Sequence, residues 1–182
     1  RAKGIIETHC HNIRDYTENK QKQVDDAPFG GGMGMIVQAQ PIYDCFKAVE
    51  ASGNGQKPYV IYMSPQGKTL TQKKALELSK KPWLVLVCGH YEGVDERVIE
   101  EIVDEEVSIG DYVLTGGELP ALVLADTVAR LVPGVLSSEE CFTEESHFSG
   151  LLEYPQYSRP RVWNGREVPE VLLSGHHLNI KK

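Results

Sequence analysis

A glycine-rich run from Ser108 to Pro120 constrains the fold of this chain more than any other segment. Three of its residues, Gly110, Gly116 and Gly117, fall within eight positions. Glycine lets the backbone approach a ligand closely or reach a positive φ. Residues 119–131 are apolar on nearly every side, which predicts a helix that is buried all round, with a proline tolerated in its first turn. We interpret the run as a rigid loop that lines a pocket; a tight turn with a capping glycine is the simpler alternative.

Short apolar strands alternate with helical stripes in the segment before this run. Two nearly continuous apolar stretches, Tyr59–Met63 and Trp83–Val87, are of the kind that is buried in a parallel sheet. Apolar residues at helical spacing predict three helices, at residues 41–51, 71–79 and 95–103. The alternation of strand and helix predicts an α/β fold with a mostly parallel sheet.

Three polar or glycine-rich loops follow the carboxyl ends of the predicted strands. They are residues 64–67, 88–93 and 108–117. Ligands of open α/β sheets bind in the crevice outside the carboxyl ends of the strands. The convergence of three such loops therefore predicts a ligand site at this edge of the sheet.

The N-terminal part of the chain is less regular. Ile5–Asn12 alternates apolar and polar residues, which favours a strand, and residues 14–26 form a long polar stretch typical of a flexible loop. Four glycines follow between residues 27 and 35, without the lysine of a Walker loop and without the GxGxxG spacing. This segment is either backbone pressed against a flat or bulky group, or a hinge.

Composition and charge indicate the cellular compartment of the protein and the kinds of partner it can bind. No apolar run is long enough to span a membrane and no signal peptide is visible. Four cysteines without paired spacing favour a reducing cytoplasm. The net charge of −7 is uneven, with +4 on residues 1–81, −13 on 82–145 and +2 on 146–182. The acidic middle would repel a phosphate backbone, whereas the two ends would attract one. The only metal-like cluster, residues 9–11, lacks a second set of ligands, so no metal site is predicted.

Several motifs in this order resemble one known family. They are residues 30–35, 64–67, 88–97, 108–120 and 172–175. They closely resemble the bacterial TrmD family, the tRNA (guanine-N1)-methyltransferases of the SPOUT class, which modify the guanosine immediately 3′ of the anticodon. The resemblance covers essentially the whole chain, and it implies a cytoplasmic enzyme with tRNA as its partner.

The family fold implies a domain organisation that periodicity alone does not predict. Residues 1–134 would form an α/β domain with a deep trefoil knot near its C-terminal end. Residues 135–174 would be an interdomain linker, and residues 175–182 the start of a truncated helical tRNA-binding domain. The family also implies a homodimer with its active site at the subunit interface.

The resemblance assigns residues to S-adenosylmethionine and to the target base. The expected cofactor-binding residues are Tyr62, Pro65, Gly89, Glu92, Ile109, Gly110, Asp111, Tyr112, Val113, Leu114, Gly116, Gly117 and Pro120. The expected guanine-binding residues are Gly32, Met33 and Gly34, where Met33 replaces a proline that is frequent in the family. No metal ligand is assigned, and a Mg²⁺ requirement is left open.

Two residues are expected to carry the chemistry. Guanine N1 is a weak nucleophile while it holds its proton, so a carboxylate must accept that proton as the methyl group moves. A guanidinium can stabilise the charge that builds on O6. By position these groups are Arg130 and Glu145, the latter standing where the family has an aspartate. Without the resemblance, Arg130 would be a cation at a helix C-terminus and Glu145 a solvated linker acid.

Overall fold

The structure is a computed structural model that describes residues 4–136 and 155–175. The chain divides into two compact units, Arg1–Glu144 and Glu145–Lys182.

A three-stranded parallel sheet forms the centre of the first unit. Its strands are β3 (Tyr59–Thr69), β4 (Leu84–Cys88) and β5 (Glu105–Ser108), and β3 lies in the middle. Tyr59–Met63 of β3 pairs residue by residue with β4, and both neighbours run parallel to it. The predicted α/β class with a mostly parallel sheet is confirmed.

Helices cover both faces of the sheet. The helices are α1 (Ala39–Ser52), α2 (Gln72–Leu78), α3 (Glu96–Ile102) and α4 (Glu118–Ala129). Val60 and Tyr62 point to the face that packs against α1 and α3, whereas Ile61 and Met63 point to the face that packs against α2 and α4. Because successive side chains of a strand alternate between faces, a continuous apolar strand supplies both cores.

The predicted turn at residues 64–67 is a bulge within β3. Both Met63 and Lys68 pair with Val107, so the four residues between them bulge out of the ladder. A Cβ at Gly67 would lie 2.5 Å from the backbone nitrogen of Val107, which explains the glycine. After the bulge, Lys68 and Thr69 pair with β5 again, and the chain then enters α2, whose N-cap is the hydroxyl of Thr71.

The N-terminal expectation needs correction. No strand is present among the described residues 4–12, and the Asn12 side chain instead accepts a hydrogen bond from Arg14 N and caps a 3-10 helix, Ile13–Tyr16. The alternating segment is mostly exposed, with Ile5 39% exposed, so it has no apolar face to pack. Residues 14–26 are a loop, but they end in β1 (Asp25–Asp26), which pairs antiparallel with β2 (Ile36–Val37).

The helix after the glycine-rich run begins one residue earlier than predicted and ends two residues earlier. The prediction that it is buried all round is wrong for this single chain. Leu124 and Val128 are buried, whereas Leu119 and Leu122 are 60% and 65% exposed and Val123 is 45% exposed. One side of α4 is therefore an apolar surface that the described part of the chain leaves uncovered.

The second unit contains two short strands and one turn of helix. Strands β6 (Val162–Trp163) and β7 (Arg166–Glu167) form an antiparallel hairpin, followed by the single-turn helix α5 (Glu170–Leu173). The start of a further helical domain is predicted for residues 175–182; Gly175 is not helical, and residues 176–182 lie outside the described ranges.

Candidate active site

A cavity of about 340 Å³ lies at the carboxyl edge of the central sheet. Its walls come from the bulge after Met63, the loop after Cys88 and the loop after Ser108. Strands β4 and β5 lie on opposite sides of β3, so the β3–β4 and β4–β5 connections run in opposite directions across the sheet. This is the switch point at which open α/β sheets bind ligands.

Close backbone contact holds two of the loops together. The amide of Gly117 donates a hydrogen bond of 2.8 Å to the carbonyl oxygen of Gly89, and His90 pairs with Gly116 in an isolated bridge. A Cβ on Gly117 would lie only 2.8 Å from the Cα of Cys88. Gly117 is therefore required by the packing of one loop on the other, and not only by a turn. Gly117 is also the N-cap residue of α4, which fixes the loop to the helix.

The loop after β5 is ordered by its own side chains. The Ser108 hydroxyl accepts a hydrogen bond from the Gly110 amide at 3.2 Å and lies 2.9 Å from the Gly110 carbonyl, to which it donates. The Tyr112 ring lies over Gly110, where a Cβ would approach its Cε1 within 2.5 Å. Tyr112 and Val113 remain 56% and 78% exposed. This loop thus presents apolar side chains beside the cavity.

Three carboxylates contribute to the lining of the cavity. Glu92, Glu96 and Glu106 all line it, and Glu106 is the ladder partner of Tyr62. Burial raises the pKa of the Tyr62 phenol, the charges of Glu106 and Glu96 raise it further, and a hydrogen bond with the Val94 backbone acts in the opposite direction. Tyr62 therefore stays neutral at physiological pH, and the cavity carries a negative field that favours a cationic ligand.

Cys88 ends β4 beside this site, and it is held in its thiol form. Burial chiefly, and then the charge of Glu118, raise the pKa of the Cys88 thiol to about 11. Because the thiolate is the nucleophilic form, Cys88 is unsuited to covalent catalysis at neutral pH.

Alkylation with iodoacetamide at pH 8 should therefore modify the exposed Cys10 well before Cys88. A pKa near 11 leaves roughly one Cys88 thiol in a thousand ionised at that pH. Mass spectrometry of the alkylated peptides gives both rates in one sample, and the Cys88 rate should keep rising up to about pH 11. Equal rates for the two thiols at pH 8 would show that Cys88 is not protected in this way.

The structure gathers eleven of the thirteen expected cofactor-binding residues around the one cavity. Gly110 and Asp111 belong to the same loop but are not among the lining residues. Arg130 is the C-cap residue of α4, partly buried, and its amide donates a hydrogen bond to the Asp126 carbonyl. Glu145 lies outside the described ranges, so the geometry of the expected catalytic pair stays a prediction.

The loop expected to bind guanine touches the cavity through one side chain. A Cβ on Gly34 would lie 2.5 Å from Cγ of Glu92, and the Glu92 amide donates to the Met35 carbonyl at 3.0 Å. Met33 is 94% exposed and Phe29 fully exposed. The expected guanine-binding residues 32–34 do not line the cavity itself, but their loop is anchored to its rim.

Sequence reasoning missed two of the acidic residues in the lining. Glu96 lies in the first turn of α3, and Glu106 lies on β5. The sequence gives only a weak indication that they line a cavity, because both belong to an acidic segment that is typical of a solvated surface. A search for carboxylates within a few residues of the predicted strand ends would have found them.

Two negative observations concern the described residues alone. In residues 4–136 and 155–175, no group of three histidine, cysteine or acidic side chains is placed to hold a metal ion. None of the helices within those ranges is both long enough and apolar enough to cross a bilayer.

The structure defines an α/β protein with a cavity, lined by glycine-rich loops and carboxylates, at the edge of its sheet. A sequence model described as tRNA (Guanine-1)-methyltransferase TrmD matches residues 1–182. The chain therefore belongs to the TrmD family.

Curated relatives agree with the family match. The chain is 66% identical over 178 residues to a tRNA (guanine-N(1)-)-methyltransferase of Ruminiclostridium cellulolyticum, covering 98% of this chain and 76% of the relative. It is 58% identical to the protein of that name from Clostridioides difficile, covering 98% and 77% of the two chains. It is 54% identical to that of Clostridium perfringens, covering 100% and 75%.

Proposed function

We propose that this chain transfers a methyl group from S-adenosylmethionine to N1 of the guanosine immediately 3′ of the anticodon in tRNA. The observation that carries the proposal is the cavity, where three loops converge on a site lined by glycine backbone and carboxylates. Family membership supplies the reaction class and the substrate class. We place the reaction in the cytoplasm, where tRNA and the methyl donor are available.

The residues present fit S-adenosylmethionine. Flat purine rings bind against backbone edges and apolar faces, which Gly89, Ile109 and Leu114 offer around the cavity. The donor's sulfonium is positively charged, and the carboxylates of Glu92, Glu96 and Glu106 favour a cation. When bound, the donor supplies an electrophilic methyl group. A cavity of about 340 Å³ lies within the range that small-molecule sites occupy.

The chain's own residues have two tasks in the reaction. With the donor bound, the Glu145 carboxylate would accept the N1 proton as N1 bonds to the methyl carbon, and the electron pair of the broken sulfur–carbon bond would stay on the donor's sulfur. Arg130 donates hydrogen bonds to O6, where negative charge accumulates in the transition state. Arg130 lies at the end of α4, and the same helix begins at the glycine-rich loop after β5, which supports this role.

We further propose that residues 88–93 and 108–117 are the loops of the family's trefoil knot. The hydrogen bond between Gly117 and Gly89 and the bridge between Gly116 and His90 support their interlocking. A ligand seated between two such loops would contact both at once. Measuring the rate of methyl transfer while Mg²⁺ or a chelator is added tests whether catalysis requires the metal.

Nucleoside analysis of methylated tRNA tests the reaction. The chain is incubated with tRNA and S-adenosylmethionine carrying a labelled methyl group, and the digested RNA is separated. The expected product is N1-methylguanosine, and a transcript with adenosine in place of the target guanosine should give none. Label recovered as a ribose methyl or on another base would contradict the assignment of N1. Label equally abundant in the adenosine transcript would contradict the assigned position.

We also propose that the active form is a homodimer whose interface completes the site. The uncovered side of α4 carries Leu119, Leu122 and Val123, and the loop between β5 and α4 exposes Tyr112 and Val113. Several large apolar side chains exposed on one helix and on the loop before it are typical of a protein–protein interface. A second copy would bury this surface and close the open side of the cavity.

Leu122→Glu should therefore convert the dimer to a monomer at micromolar concentration. The substitution places a charge at the centre of the apolar surface, where the dimer would have to desolvate it. Sedimentation velocity measures the mass directly. Phe29→Glu is the control, since Phe29 is fully exposed but lies on a different loop, and it should leave the dimer intact. A monomeric unsubstituted chain, or equal dissociation by both variants, would refute the interface.

A further inference from the structure

The hairpin of the second unit is the strongest feature that the proposed reaction does not use. Its turn is Asn164-Gly165, with φ of 50° and 75°, the positive pair that a two-residue type I′ turn requires. The Val168 amide donates a 3.0 Å hydrogen bond to the Arg161 carbonyl, which extends the ladder by one pair. The hairpin is thus a regular structure with a fixed register.

That register places two arginines and a tryptophan on one face. Trp163 stands directly opposite Arg166, and residues directly opposite in an antiparallel pair point to the same side. Arg161 lies two residues before Trp163 and so shares its face. Val162 and its partner Glu167 point to the other face. The register therefore places the Cβ atoms of these three residues on one side, although the Arg161 guanidinium turns toward Glu167 in a weak, exposed pair that a phosphate can replace.

The Arg-Trp-Arg face, defined by Arg161, Trp163 and Arg166, is open. Trp163 is 67% exposed, and the Arg161 side chain is 61% exposed. Arg161 lies 3.9 Å from the Glu167 carboxylate, a pair between exposed side chains that contributes little stability. Residues 155–168 contain three arginines and one glutamate, a local charge of +2 in a chain of −7. An aromatic side chain this exposed contributes little to packing.

We propose that the Arg-Trp-Arg face binds an unpaired stretch of the tRNA substrate, with Trp163 stacked on a base and the two arginines on neighbouring phosphates. Exposed aromatic rings flanked by cationic groups are how proteins hold single-stranded nucleic acid, because every base has a face to stack and every nucleotide a charge to pair. Charge complementarity selects RNA over an apolar partner, for which two arginines would have to be desolvated. The proposal depends on tRNA being the substrate, but not on the identity of the methylated atom.

Intrinsic fluorescence gives a direct measurement. The chain has two tryptophans, and Trp83→Phe leaves Trp163 as the sole emitter. Titration with an anticodon stem-loop RNA at low salt should quench this emission, since a stacked base contacts the indole. A blunt duplex RNA of the same length, which offers no unpaired base, should quench it far less. Equal quenching by both RNAs, or none by either, would overturn the proposal.

Substitutions on the two faces separate stacking from general attraction. Trp163→Ala should raise the Kd for the stem-loop by roughly 5- to 150-fold, the range expected for loss of one stacked base. Trp163→Phe should largely restore affinity, and Val162→Ala, on the opposite face, should leave it unchanged. Arg166→Gln should lower the slope of log K against log salt by about 0.7 to 1, since one phosphate contact is lost.

The donor affinity distinguishes failure of this proposal from failure of the proposed function. All four variants should bind S-adenosylmethionine as the unsubstituted chain does, by isothermal titration. Unchanged RNA affinity in Trp163→Ala, with methyl transfer intact, would refute the Arg-Trp-Arg face alone. If Trp163→Ala loses RNA affinity but the unsubstituted chain forms no N1-methylguanosine, the Arg-Trp-Arg face is supported as an RNA-binding surface and the proposed reaction is refuted. A blue shift of Trp163 emission with protein concentration, without RNA, would identify a second copy as the occupant and overturn the proposal.

Discussion

Glu145→Gln is expected to lower single-turnover methyl transfer by roughly 10²–10⁴-fold, the usual contribution of a positioned general base. The amide keeps the size of the side chain but cannot accept the N1 proton. Binding of S-adenosylmethionine should be unchanged, because the base acts on the RNA and not on the donor. Rapid-quench measurement of labelled methyl transfer under single-turnover conditions, with isothermal titration of the donor, separates the two effects.

Two neighbouring substitutions test the assignment by position. Glu145→Asp should retain much of the activity, because it restores the family's own residue type with a side chain one methylene shorter. Glu144→Gln is the matched control, and its effect should be mild. A severe defect in Glu144→Gln together with a mild one in Glu145→Gln would move the base by one residue. Normal rates in both variants would assign proton removal to a group other than these carboxylates.

The central sheet and its helices could be predicted because their signals are local. Tyr59–Met63 is apolar at every position, and the structure uses both sets of side chains, one for each core. Helix α2 shows its boundaries in the sequence, with the Thr71 hydroxyl capping one end and Ser79 closing the other. The convergence of three loops at one edge then follows from the parallel order of the strands.

The features that escaped prediction depend on partners distant in sequence. The alternation of Ile5–Asn12 resembles a strand, but a strand forms only where a neighbour and an apolar face exist, and this segment is exposed. The apolar sequence pattern of a helix such as α4 does not distinguish burial within its own chain from burial against a second chain. Glu106 joins the cavity only because β5 pairs with β3 in a register that sets it beside Tyr62. Periodicity contains none of this information.

Gly117→Ala is expected to weaken binding of S-adenosylmethionine by roughly 10- to 100-fold, in line with an overpacking cost of about 1–3 kcal/mol. The new Cβ would lie 2.8 Å from the Cα of Cys88 and 3.0 Å from the amide nitrogen of Gly89. Both are backbone atoms at the end of β4, so no side-chain rotation can relieve the contact. The two loops must separate, which also lengthens the Gly117–Gly89 hydrogen bond of 2.8 Å.

The adjacent glycine provides a matched control. The atoms nearest to a Cβ on Gly116 belong to the side chains of Glu118 and His90, which are 65% and 48% exposed and can rotate away. Gly116→Ala should therefore bind the donor within a few-fold of the unsubstituted chain, although the two substitutions add the same methyl group one residue apart. Isothermal titration gives the affinities, and thermal melting shows how much of the cost falls on folding. Equal losses in both variants would mean that the added bulk acts on the ligand itself, whereas normal binding in Gly117→Ala would show that the two loops need not touch for the donor to bind.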